Sequence, residues 1–234
     1  MKKNVMMRLA CFLLVAVLIS TSAISGTYAK YVTKGTAADD ARVAKWGVKI
    51  EPTSEMFSNS YKDTKTDYTP SEAGDAITVQ SYTPDDKVIA PGTEGALASF
   101  KITGTPEVDT EVTYTPSLYL TGWNVDGAEY CPIVFTVGTE TFKIGDTGID
   151  TVAQLIEKVQ AAIVAKTAKY HTNQDLSVVN DDLYVAWEWP FETGADATEK
   201  AANNIKDTAL GNAAADGNAA KIALSVTITI SQVD

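Results

Sequence analysis

The chain contains one histidine, His171, and two cysteines, Cys11 and Cys131. Zinc hydrolysis needs two or three His, Glu or Asp ligands at fixed spacing, and no His-Glu-x-x-His motif is present. A Ser-His-Asp or Cys-His arrangement would have to use His171, and no Gly-x-Ser-x-Gly turn accompanies it. Neither a Gly-x-Gly-x-x-Gly loop nor a Walker-type loop is found to cradle phosphate. Glu188 and Glu192 flank an aromatic run, but no spacing rule marks them as a glycosidase pair, and they read as solvent-facing charges. Asp39-Asp40, Asp85-Asp86 and Asp181-Asp182 have calcium-type oxygens without the Gly and spaced ligands of a dedicated loop. Trp187 and Trp189 could stack on a sugar ring, yet they share parity with Leu183, Val185 and Phe191, which directs them to a core. Trp123, between Gly122 and Asn124, belongs to no stripe and is the tryptophan best placed for a turn and a ligand. These residues predict no catalytic centre, cofactor or metal site: the chain reads as a non-enzyme.

The elements that would position them are mostly strands. Apolar and polar residues alternate in Ala44-Trp46-Val48-Ile50, in Ala98-Phe100-Ile102, and in Val112, Tyr114, Leu118 and Leu120. They alternate again from Leu183 to Phe191, and in Leu224, Val226, Ile228 and Ile230. One wet and one dry face per strand is the pattern of antiparallel sheets, and two sheets closing dry face to dry face give a β-sandwich. Cys131 shares parity with Ile133, Phe135 and Val137 and reads as a buried, inert thiol. Turn signals fall at Ala90-Pro91-Gly92, Gly104-Thr105-Pro106, Asp126-Gly127 and Gly138-Thr139. Between Thr151 and Tyr170, Val152, Leu155, Ile156, Val159 and Ile163 recur at helical spacing, which predicts one amphipathic helix with Asp150 as N-cap. Thr53 to Asp86 reads as irregular, and Gly194 to Lys221 as a low-complexity loop with transient helix.

The N-terminus has the layout of a secretory signal peptide. Lys2, Lys3 and Arg8 precede an apolar run from Leu9 to Ile19, then small and polar residues to Ala29. The run is shorter than the roughly 20 residues a membrane-spanning helix needs. Thr27-Tyr28-Ala29 and Thr21-Ser22-Ala23 both fit a cleavage site. Cys11 goes with the leader and leaves Cys131 without a disulfide partner. The formal net charge of −11, less the leader's three positive charges, leaves −14 for the exported part. Such a surface repels nucleic acid and anionic lipid, so nucleic-acid binding is excluded, and no stable membrane anchor is expected after cleavage.

Gly26-Thr27-Tyr28-Ala29, Ala44-Lys45-Trp46-Gly47-Val48, Ile89-Ala90-Pro91-Gly92, Phe100-Lys101-Ile102 and Val226 to Asp234, in that order, resemble the TasA/camelysin family, exported with a SipW-type signal peptide. The resemblance favours cleavage between Ala29 and Lys30 by a SipW-type signal peptidase. It implies a jelly-roll-like β-sandwich, which with the stripes and the helical spacing gives an all-β fold, a jelly-roll-like antiparallel β-sandwich with one amphipathic helix insertion, over 42–234. It also implies a secreted or cell-surface biofilm-matrix fibre subunit that self-associates, with other matrix proteins as further partners. In such fibres the freed N-terminal segment, here 30–41, passes to the next subunit as a donor strand. Lys30, Tyr31, Val32, Thr33 and Lys34 form the candidate strand, with Tyr31 and Val32 on opposite faces. The competing reading is a monomeric adhesin or carbohydrate-binding sandwich. Camelysin relatives are described as metalloproteases, and no zinc motif here receives that role.

Overall fold

The computed structural model describes residues 11–15, 42–52, 55–64, 77–98, 100–181 and 183–233. The chain divides into two compact units, Met1–Val43 and Ala44–Asp234. In the first, residues 11–15 are helical with exposed side chains. The Ala29-Lys30 junction, the candidate donor Lys30–Lys34 and Asp39-Asp40 lie outside the described residues.

The second unit is mostly antiparallel strand. In chain order these are β1 (Lys49–Pro52), β2 (Ser60–Thr64), β3 (Ile77–Gln80), β4 (Glu94–Ala98), β5 (Phe100–Thr103), β6 (Thr110–Thr121) and β7 (Asn124–Val125). They continue with β8 (Ala128–Glu129), β9 (Val134–Val137), β10 (Glu140–Phe142), helix α1 (Val152–Val164), β11 (Ala168–Tyr170) and a 3-10 helix, Leu176–Asp181. β12 (Tyr184–Glu188), helix α2 (Ala197–Ala215) and β13 (Lys221–Gln232) complete the order. One sheet runs β10-β9-β12-β4 and another β11-β6-β13, while β1-β5, β2-β3 and β7-β8 form separate pairs.

The period-2 stripes become the core. Val112, Tyr114, Leu118 and Leu120 of β6 are buried, as are Phe135 and Val137 of β9 and Val185 and Trp187 of β12. All belong to one hydrophobic cluster, into which α1 sends Val152, Leu155, Val159 and Ile163. Burying a side chain of this size stabilises by about 1.5–3 kcal/mol. Ala90-Pro91-Gly92-Thr93 closes a tight turn, with the Thr93 amide donating to the Ala90 carbonyl at 3.0 Å and Gly92 at a φ of 87° that glycine alone adopts freely.

Several expectations are corrected. The N-cap of α1 is Thr151, not Asp150: its hydroxyl accepts the Gln154 amide, and the Gln154 side chain accepts the Thr151 amide in return. The helix stops at Val164, and Ala168–Tyr170 pairs with Val112–Thr110 as strand, so a sheet partner overrides the helical run expected to Tyr170. The stretch expected as a loop with transient helix contains the 19-residue α2, so the described residues of the second unit hold two α-helices where one was expected. Asp196 caps α2 by accepting the Thr198 and Glu199 amides, and its many alanines carry the highest helix propensity. The irregular Thr53–Asp86 stretch contains the β2-β3 pair. The Ala44–Ile50 stripe fails for the opposite reason. Gly47 turns to a φ of 56°, breaking the alternation before β1 starts at Lys49. Trp46 is left 39% exposed.

Candidate functional site

The residues examined for chemistry do not converge. His171 is exposed just past β11, and its amide donates to the Gln174 side chain. Glu188 stands across the β12-β4 ladder from Glu94, while Glu192 pairs with Lys200 at 3.3 Å near the start of α2. Asp85 and Asp86 are exposed in a turn. Asp181 closes the 3-10 helix, and Asp182 lies outside the described residues. Among the described residues, no group of three or more His, Cys, Asp or Glu side chains could hold a metal ion. None of the described helices is long and apolar enough to cross a membrane.

Trp123, Trp187 and Trp189 are committed to packing, unlike the exposed Trp46. The Trp187 indole N–H donates to the Met56 carbonyl at 3.1 Å, and its ring meets Phe57 at 5.2 Å and Tyr61 at 6.3 Å. Trp123, expected at a turn and open to a ligand, is buried instead. It donates to the Lys221 carbonyl at 3.0 Å and meets Trp189 edge-on at 5.3 Å. Cys131 is buried beside the same core, and desolvation pushes its thiol up to about 12, the Ile133 amide opposing only in part.

Among the described residues, β13 is the longest strand at a sheet edge. Its twelve residues pair with β6 over the whole length, from Lys221 opposite Thr121 to Gln232 opposite Thr110. Among the described residues β13 pairs with no other strand, so it forms the edge of its sheet. Its core-facing residues Ile222, Leu224, Val226, Ile228 and Ile230 pack on the hydrophobic cluster but stay only half buried. The far side of the same sheet is closed differently. There β11 pairs with the first part of β6, and further along the Leu118 amide donates to the Gln160 side chain of α1 at 3.2 Å.

Beside the start of β13 is a groove of about 740 Å³, lined by Phe57, Val88, Ile89, Ala214, Ala220 and Ile222, with Asp86, Lys87 and Lys221 among its polar groups. Helix α2 borders it through Ala214 and is held to the core by few groups. Of its side chains only Asp207 and Leu210 are buried, while Ile205 is 71% exposed. The Tyr130 hydroxyl donates to Asp207 at 2.8 Å, and Lys206 lies 4.9 Å above the Tyr130 ring. Burial raises the Asp207 carboxyl above its ordinary range despite the opposing pull of Tyr130, the Trp189 indole and Lys206. Burial and the neighbouring carboxylate raise the Tyr130 hydroxyl as well.

The chain matches no protein-family model, no curated protein and no solved structure. The functional reading therefore stands on the geometry and on the sequence.

Two features escaped the sequence. The stripe of β13 was visible, but a stripe does not reveal whether a strand has neighbours on one side or two. The Tyr130–Asp207 contact joins residues 77 apart, with no local pattern to announce it.

Proposed function

We propose that this protein is an exported structural subunit, a jelly-roll-like β-sandwich that joins copies of itself into extracellular-matrix fibres by strand donation. The observation that carries the reading is the twelve-residue β13, paired on one side among the described residues and half exposed along its apolar stripe. An edge of that length presents a row of backbone donors and acceptors that natural proteins normally shorten, cover or charge. Along β13 the only charged residue is Lys221 at its start. A strand laid beside it would gain main-chain hydrogen bonds and cover the stripe from Ile222 to Ile230. With 30–41 of one copy as donor and β13 of the next as acceptor, the contact is head-to-tail and does not close, so it propagates as a filament. The leader-like N-terminus and the acidic composition fit export and an extracellular place of action.

Electron microscopy of protein beginning at Lys30, against protein beginning at Arg42, tests the proposal. Fibres are expected from the first and monomers from the second. Tyr31→Asp with Val32→Asp should also abolish fibres without lowering the melting temperature of the second unit, Ala44–Asp234. Fibres that persist without 30–41 would refute strand donation, and strictly monomeric protein at high concentration in every form would refute the structural role.

A further inference from the structure

The β6-β13 ribbon has a second surface, distinct from its edge. The register places Thr113 opposite Thr229, Thr115 opposite Thr227 and Ser117 opposite Ser225, all on the face turned away from the core. Tyr119 extends the row, 64% exposed and opposite Ala223. Charge enters this face only at its two ends, with Lys221 at one and Glu111 at the other. On a chain with 30 acidic residues, a charge-free, hydroxyl-lined strip of this length stands apart.

The strip's dimensions narrow the choice of partner. The uncharged stretch, Thr113 to Tyr119 against Ala223 to Thr229, is seven residues or about 24 Å at about 3.4 Å each, and two strands about 4.8 Å apart give a width of about 10 Å. That is about 240 Å², under a third of the roughly 800 Å² per partner in a stable protein interface. A long, narrow, uncharged strip suits a linear polymer that is neutral and rich in hydroxyls. Opposed residues stand about 5 Å apart; the Thr113 hydroxyl donates to the Thr229 carbonyl at 3.3 Å and is left to accept, and the remaining hydroxyls can donate to and accept from a chain lying along the ribbon. The exposed Tyr119 ring offers a flat apolar face for a sugar ring to stack on.

We propose that the outer face of the β6-β13 ribbon binds a neutral polysaccharide chain, with Tyr119 as the stacking platform and the paired Thr and Ser hydroxyls as the hydrogen-bonding track. The site is independent of strand donation, which uses the edge of β13 rather than its face.

Native electrophoresis of the full-length protein through gels containing hydroxyethylcellulose, a neutral glucan, tests this, with carboxymethylcellulose as its anionic counterpart. The neutral polymer should retard the protein and the anionic one should not. Tyr119→Ala should weaken the interaction roughly tenfold. Thr115→Val with Thr227→Val should weaken it severalfold with the melting temperature held, because valine keeps the shape and strand preference while losing the hydroxyl. Any of four results would overturn the proposal: no retardation by the neutral polymer, equal retardation by the anionic one, unchanged retardation in both variants, or a dimer that Tyr119→Ala dissolves.

Discussion

Gly95 of β4 sits opposite Trp187 of β12, at the point where the sheet meets the segment around Met56. A methyl group at Gly95 would overlap the Met56 carbonyl oxygen and come within 2.8 Å of the Trp187 indole nitrogen. Those are the two atoms joined by the buried 3.1 Å hydrogen bond. Non-bonded atoms need about 3.5 Å, so Gly95→Ala must displace backbone and not merely a flexible side chain. Overpacking of this kind costs about 1–3 kcal/mol, and leaving the indole N–H without its acceptor adds about 1–3 kcal/mol. A loss near the middle of the combined range, about 4 kcal/mol, lowers the Tm of a domain this size by roughly 8–16 °C. The assay is thermal unfolding followed by circular dichroism and tryptophan fluorescence. Gly211→Ala is the control: Gly211 lies inside α2 with nothing within 4 Å of an added methyl, so that variant should gain up to about 1 kcal/mol. A Tm for Gly95→Ala within about 2 °C of the parent would refute the packing argument.

Two further outcomes follow from the caps and the buried carboxyl. Thr151→Ala should destabilise by about 1 kcal/mol in urea unfolding, whereas Asp150→Ala should have almost no effect, since the capping box belongs to Thr151 and Gln154. A carboxyl raised on folding, such as Asp207, contributes stability below the ordinary carboxylate range and loses it as pH rises through the native value. Asp207→Asn should therefore flatten the pH dependence of the urea midpoint above the ordinary carboxylate range, with the gap to the parent closing on acidification. A parent whose midpoint rises relative to the variant as pH climbs above that range would contradict the assignment.

Periodicity carried most of the core. The stripes of Val112 to Leu120, Cys131 to Val137 and Leu183 to Trp189 face inward because a strand alternates whatever its partners, and α1 buries Val152, Leu155, Val159 and Ile163, leaving Ile156 half-buried. Where a single residue or a distant partner decided the outcome, the sequence misled. Gly47 takes a backbone angle that turns Trp46 outward, a choice no hydrophobic pattern encodes. Ala168–Tyr170 continues a helical composition but is captured by Val112–Thr110. Helix α2 carries almost no apolar stripe, so amphipathicity could not reveal it, and its alanine content and Asp196 cap had to serve instead. Trp123 sits beside a turn glycine and is nevertheless drawn inward by Lys221 and Trp189, both remote in sequence. The candidate site is a relation between strands, and the composition of β13 alone does not state how many neighbours it has.

The long ladder between β6 and β13 also constrains when the molecule can fold. Thr121 must find Lys221, and Thr110 must find Gln232, across stretches of a hundred residues and more. Closing loops of that size before any reward from pairing makes such topologies slow. Until residue 232 has been made, β6 lacks its principal neighbour, so this ladder can close only at the end of synthesis. Such late consolidation would suit the export proposed above.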